Sequence, residues 1–197
     1  MEVNESKTVY LKVGEDISKN KNSDFSLPYH LTVGRIAESL IQELFLFEGY
    51  QTYKNGLENT YQYLYKQIKK NKTEVAKSIR KSPDLILYDP CKEKLYYAEI
   101  KFCSTSYFKW KDNDFENYEV RFPNGYFFIV TPANIYTISI KELREIKILY
   151  FDKNPNFLIG NSSFNLREYS LERFREFQRV LFNDEFLKQH KEIRKSF

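Results

Sequence analysis

A chain of 197 residues with 42% hydrophobic content and only six glycines and six prolines is long enough for one packed core and too poor in chain breakers for disorder. Its two cysteines, Cys91 and Cys103, exclude a disulfide framework and a cysteine-type zinc site, and no apolar run approaches the ~20 residues that span a bilayer. The net charge of +4 suits a nucleic-acid partner without singling one out. The first residues lack the layout of a signal peptide, so the expectation is a soluble cytoplasmic protein with no membrane partner.

In chain order, residues 8–13 read as a short strand and residues 14–24 as a polar loop. Ser26 and Pro28 mark a helix start. Val33, Ile36, Ala37, Leu40, Ile41 and Leu44 then recur at helical spacing until Gly49 stops the run. Two carboxylates, Glu38 and Glu43, flank this apolar stripe on opposite sides, and periodicity does not choose between them. Residues 50–54 read as a strand, followed by an Asn55-Gly56 turn. Residues 59–80 have Tyr61, Leu64, Tyr65, Ile68, Val75 and Ile79 at helical intervals, which predicts one long helix. Its other side carries Lys66, Lys69, Lys70, Lys72 and Lys77. Such a run is a solvated face as readily as a grip on phosphates.

That helix leads into the stretch on which the function turns. Residues 82–88 and 95–101 are rich in Leu, Ile and Tyr and read as two strands, joined by the turn-forming cluster at 89–94. A hairpin of this kind sets Asp84, at the start of one strand, beside Glu99, near the end of its antiparallel neighbour. Alternation along the strand puts Glu99 and Lys101 on one face and Ile100 on the other. Two carboxylates and one ammonium therefore converge at a sheet edge. Paired carboxylates suit a hard divalent cation, and a lysine beside it suits the orientation of a water and the offsetting of negative charge.

Downstream, Ser104 or Thr105 is expected to cap a helix carrying Tyr107, Phe108 and Trp110. The mix of Tyr107, Lys109, Trp110 and Lys111 suits either packing on the sheet or contact with a substrate strand. Residues 125–131 read as a buried strand, 135–138 as another strand, 140–146 as a short helix and 148–151 as a strand. An Asn-rich connection follows, with Ser170 expected to cap a helix containing Leu171, Phe174, Phe177 and Leu181. An apolar face there would cover the core or a second copy of the chain.

Pro83-Asp84, followed fifteen positions on by Glu99-Ile100-Lys101, resembles the signature of the PD-(D/E)XK nuclease superfamily, which includes type II restriction endonucleases and archaeal Holliday-junction resolvases. A second Glu-Ile-Lys, at 145–147, lacks the preceding Pro-Asp and precedes an apolar run instead of ending one. Gly34-Arg35-Ile36-Ala37-Glu38, running to Gly49-Tyr50, is similar to the superfamily's first helix, in which an acidic residue after a small one faces the metal; Glu38 matches that position. The resemblance covers roughly residues 31–140.

It implies an α/β fold with a restriction-endonuclease-like core, a central mixed sheet flanked by helices, a helical insertion and C-terminal helices. It also implies one nuclease domain over 1–197, with the core at about 29–140, a basic insertion at 58–81 and an extension at 141–197. The implied activity is metal-dependent hydrolysis of DNA by a structure-specific or weakly sequence-specific, resolvase-like endonuclease. Glu38, Asp84, Glu99 and Lys101 would be catalytic. Asp84, Glu99, the Ile100 backbone carbonyl and Glu38 would hold Mg2+ or Mn2+. Lys66, Lys69, Lys70, Lys77, Lys109 and Lys111 would meet DNA, with RNA left open, and family analogy implies a homodimer. The Lys, Asn, Tyr and Ile bias fits an AT-rich genome such as that of a virus or mobile element. Two alternatives stand beside this reading: a noncatalytic nucleic-acid-binding module on the same fold, and a structural domain whose hairpin charges pair with one another.

Overall fold

The computed structural model describes residues 23–55, 68, 70–111, 118–186 and 188. The expected strand at 8–13, Lys66 and Lys69 lie outside these residues. Helix α1 (Ser23–Phe47) begins earlier than Ser26 and Pro28 suggest, taking in the end of the expected loop. The helix stops where expected. Gly49 has φ +87°, its N–H donates to the Leu46 carbonyl, and the Tyr50 N–H donates to the Phe45 carbonyl, the paired bonds of a glycine C-cap.

A five-stranded mixed sheet follows, built from β1 (Gln51–Lys54), β2 (Leu85–Asp89), β3 (Lys94–Phe102), β5 (Gly125–Val130) and β6 (Ile135–Ser139), in the order β1-β2-β3-β5-β6. The pairs β1–β2, β2–β3 and β5–β6 are antiparallel, and β3–β5 is parallel. Helices flank this sheet, so the expected α/β class and most of the expected element order hold. One face packs Val33, Ala37, Leu40, Ile41, Leu44 and Phe45 of α1 on Leu85, Leu87, Ala98, Ile100, Phe128 and Val130. The opposite face buries Phe127, Ile129 and Ile138 under Trp110, Tyr118, Leu143 and Leu149. The short helix α4 (Ile140–Ile146) has its expected bounds, set by a reciprocal capping box between Ser139 and Glu142.

Four expectations change. The basic insertion is not one helix to residue 80. Ile68 and Lys70 are helical, but Asn71 and Lys72 break the run, and α2 (Glu74–Arg80) starts anew. The Asn71 side chain accepts the Thr73 N–H at 2.8 Å, and the Thr73 hydroxyl caps α2 by accepting from Ala76. Polar side chains of this kind offer the backbone an alternative to continued helix. Second, the segment after Ser104 is not a helix. It is β4 (Tyr107–Lys109), which pairs antiparallel with β7 (Ile148–Tyr150) in a separate two-stranded sheet. A partner strand distant in sequence satisfies backbone groups that local reading assigns to a helix. Third, a one-turn helix, α3 (Tyr118–Arg121), appears where no element is expected. Fourth, α5 (Glu168–Leu181) starts two residues before Ser170, which is fully buried inside it. Its N-cap is Arg167, whose backbone N–H donates to Glu48 at the end of α1.

Gly125, where β5 begins, shows how tightly the second face is closed. A Cβ there would collide with Ile140 Cδ1 and sit 2.8 Å from the Phe122 carbonyl oxygen. Gly125→Ala is expected to lower the unfolding free energy by about 1–3 kcal/mol, read as a lower midpoint in a urea titration.

Candidate functional site

The β2–β3 ladder pairs Leu85 with Ala98 and Ile86 with Tyr97. Continuing that register one step toward the open end brings Asp84 opposite Glu99. Pro83 is buried just before it. The Asp84 carboxylate accepts the backbone N–H of Ile100 at 2.7 Å. Glu99 is 7% exposed, and its two oxygens are engaged separately. Oε1 meets the Lys101 ammonium, and Oε2 accepts a 2.7 Å hydrogen bond from the Tyr118 hydroxyl. Glu99 and Lys101 thus share a face, while Ile100 packs with α1 on the other, as strand alternation requires.

Charge accumulates here. Asp84's pKa is pushed up to about 8 by its own desolvation, then by Glu99, with Glu38 adding to the effect; Lys101 and the Ile100 N–H oppose it. Desolvation alone would lower the Lys101 pKa, but Glu99, Asp84 and Glu38 together drive it upward, so the ammonium stays charged. Its side chain is still 36% exposed, so water screens the pair with Glu99. The Tyr118 hydroxyl is held far above its ordinary value by burial and then by Glu99, which keeps it a donor.

Of the two helix carboxylates that the sequence leaves open, Glu38 acts electrostatically on both Asp84 and Lys101. Glu43 lines a groove with Ile36, Leu40, Phe174, Phe177 and Leu181 instead. The structure therefore brings Glu38, Asp84, Glu99 and Lys101 into one electrostatic neighbourhood. The second Glu-Ile-Lys ends exposed on α4, with Lys147 at φ +61°.

Four of the expected nucleic-acid residues lie among the described residues. Lys70, Lys77, Lys109 and Lys111 are exposed. Lys77 pairs with Glu74 at 2.5 Å. Arg80, at the end of the basic run, donates to the carbonyls of Ile68 and Asn71, so it closes the insertion on itself. Trp110 is 5% exposed and packs on Phe127, which removes it from any strand-contacting surface. Tyr118 is the site residue that sequence reasoning missed. It sits on a one-turn helix with no periodicity to betray it, nineteen positions from Glu99.

The fit of a divalent cation follows from the donors. All are hard oxygens, the set that Mg2+ and Mn2+ prefer, and a bound cation would offset the repulsion from Glu99 and Glu38 that helps to hold the Asp84 proton. Among the described residues, no three His, Cys, Asp or Glu side chains stand close enough to hold an ion between them. Two carboxylates, the Ile100 carbonyl and water make up a donor set that fits.

No protein-family model matches the chain, and no curated protein sequence matches it. Among solved structures, it is similar to a Holliday junction resolvase of Archaeoglobus fulgidus, with 12% identity over 71% of this chain and 98% of that one and a TM-score of 0.43. A likeness that distant carries no argument about activity. Among the described residues, no helix is long and apolar enough to cross a membrane.

The raised pKa of Asp84 makes a stability prediction. The unfolded chain releases this proton near 3.8 and the folded chain near 8. Between those values the folded state binds more protons, so the stability of the metal-free protein falls as pH rises through the window. Asp84→Asn keeps an acceptor for the Ile100 N–H and removes the charge. It is expected to flatten that slope and to stabilise the metal-free protein at pH 8 by about 1 kcal/mol or more, measured by urea unfolding at pH 5 and pH 8.

Proposed function

We propose that this chain is a metal-dependent nuclease that hydrolyses DNA phosphodiester bonds, acting as a structure-specific or weakly sequence-specific endonuclease of the resolvase kind. The observation that carries the reading is Asp84 seated on the Ile100 N–H beside the Glu99–Lys101 pair, with the charge of Glu38 acting on both Asp84 and Lys101.

Asp84, Glu99 and the Ile100 carbonyl, with Glu38 reaching the ion through water, would hold Mg2+ or Mn2+, which would supply Lewis acidity at the phosphate and lower the pKa of a bound water. The Ile100 N–H fixes the Asp84 carboxylate, and Tyr118 fixes that of Glu99, so neither ligand must be ordered when substrate arrives. Lys101, held on Glu99 Oε1 before substrate binds, would orient the attacking water and offset charge growing on the phosphate oxygens. Exposed Lys70 and Lys77 would meet the DNA backbone. Arg121, three residues after Tyr118, donates to the Ser78 carbonyl at 3.0 Å and to its hydroxyl, which ties α2 to the element that orients Glu99.

One observation favours a second reading, a noncatalytic DNA-binding module: Lys101 is engaged by Glu99 as the side chains stand. One assay separates the two. Plasmid, linear single-stranded DNA and a four-way junction are incubated with Mg2+, Mn2+ or EDTA. The nuclease reading predicts cutting with either metal and none in EDTA. It predicts a loss of about 100-fold or more in Asp84→Ala and Glu99→Ala, and loss of cutting with retained DNA affinity in Lys101→Ala. Full activity in Asp84→Ala removes the proposal, and salt-sensitive binding without cutting by the wild type selects the noncatalytic module.

A further inference from the structure

The two-stranded sheet β4–β7 has one face in the core and one in water. Phe108 and Leu149 point inward, Phe108 lying 5.8 Å from the Phe127 ring. The outer face presents Tyr107 and Tyr150, which are direct cross-strand partners. Their rings are 5.8 Å apart at 44° and are 44% and 40% exposed. Lys153 sits over the Tyr150 ring, with Nζ 5.2 Å from its centre, and exposed Lys109 follows Tyr107 on the same side of β4. The surface is rigidly built. The Phe151 N–H donates to the Ser106 carbonyl and the Trp110 N–H to the Lys147 carbonyl. The Thr105 hydroxyl and Cys103 Sγ both donate to the Tyr107 carbonyl, and the Asn154 side chain donates to the Tyr150 carbonyl.

Two exposed, fixed aromatic rings flanked by ammonium groups match the chemistry of an unpaired nucleic-acid strand. Its bases stack on π faces, and its phosphates seek cations. Paired bases hide their faces, so a duplex does not use such rings. Position supports the same ligand. β4 follows Lys101 after five residues, and Phe127, on which Phe108 packs, is the β5 partner of Glu99. The platform is thus packed, through Phe108, on the strand that pairs with the Glu99 segment. We infer that the outer face of β4–β7 is a stacking platform for unpaired DNA, with Tyr107 and Tyr150 taking bases and Lys109 and Lys153 taking phosphates. The choice of DNA rests on the nuclease reading; the preference for an unpaired strand rests on the platform itself.

The test measures binding in EDTA, where cutting does not intervene. Fluorescence anisotropy at fixed salt follows a labelled oligothymidine and a duplex of equal length, added to the full chain. Tyr107→Ala/Tyr150→Ala is expected to weaken single-strand binding by about fivefold or more and duplex binding by less than about twofold, while Tyr107→Phe/Tyr150→Phe, which keeps the rings, binds like wild type. Lys109→Gln/Lys153→Gln is expected to reduce the salt dependence of single-strand binding. Unchanged single-strand binding in the alanine pair, equal losses on both DNAs, or a phenylalanine pair as weak as the alanine pair overturns the platform. A chain that cuts DNA without this tyrosine dependence loses the platform and keeps the nuclease reading. A chain that shows the dependence but never cuts keeps the platform and loses the nuclease reading.

Discussion

The register between β2 and β3 is the constraint on which the site depends. With Leu85 opposite Ala98, Asp84 falls where its carboxylate reaches the Ile100 N–H, and Glu99 and Lys101 share the face away from α1. A slip of one residue would turn Glu99 and Lys101 into the core and Ile100 out of it. Burial prevents that slip: Leu85, Leu87, Ala98 and Ile100 are packed under α1 with Phe128 and Val130. The same apolar packing that stabilises the sheet therefore fixes the spacing of its charges.

The cost of this arrangement is electrostatic. Glu38, Asp84 and Glu99 act on one lysine, and Asp84's raised pKa records first the burial of its carboxylate and then the repulsion from Glu99 and Glu38. A fold selected for stability alone would not gather them, because neutral side chains of similar shape pack at no such cost. Charge crowding of this kind is characteristic of sites that bind ions or handle protons. Tyr118 adds a buried donor to Glu99, and Arg121 links the same short helix to α2. The basic insertion and the orientation of the Glu99 carboxylate thus share one structural support.

The sheet and the site were legible to different depths. The hairpin could be read because residues 85–102 carry their own pattern: apolar alternation, a turn cluster and charges at one end. The short helix α4 was legible for a similar reason, since Ser139 and Glu142 write a capping box into the chain. What local pattern could not show was pairing between distant segments. Tyr107 to Lys109 looked helical because nothing nearby announces β7 some forty residues later. Tyr118 was invisible because a single helical turn has no period. The break at Asn71 was missed because the apolar spacing continues across it, while the polar side chains of Asn71 and Thr73 decide the backbone. The choice between Glu38 and Glu43 also lay beyond the stripe of α1, since it depends on which side of the helix faces β3 and which faces α5.

We propose that Asp84 and Glu99 together form the cation-holding centre of this molecule. Direct binding of Mn2+, followed by the disappearance of the free-ion signal in electron paramagnetic resonance, tests it without reference to substrate. The claim predicts saturable binding by the wild type that is weakened more than about tenfold in Asp84→Asn/Glu99→Gln. Equal binding by both proteins, or no binding by the wild type, would contradict it.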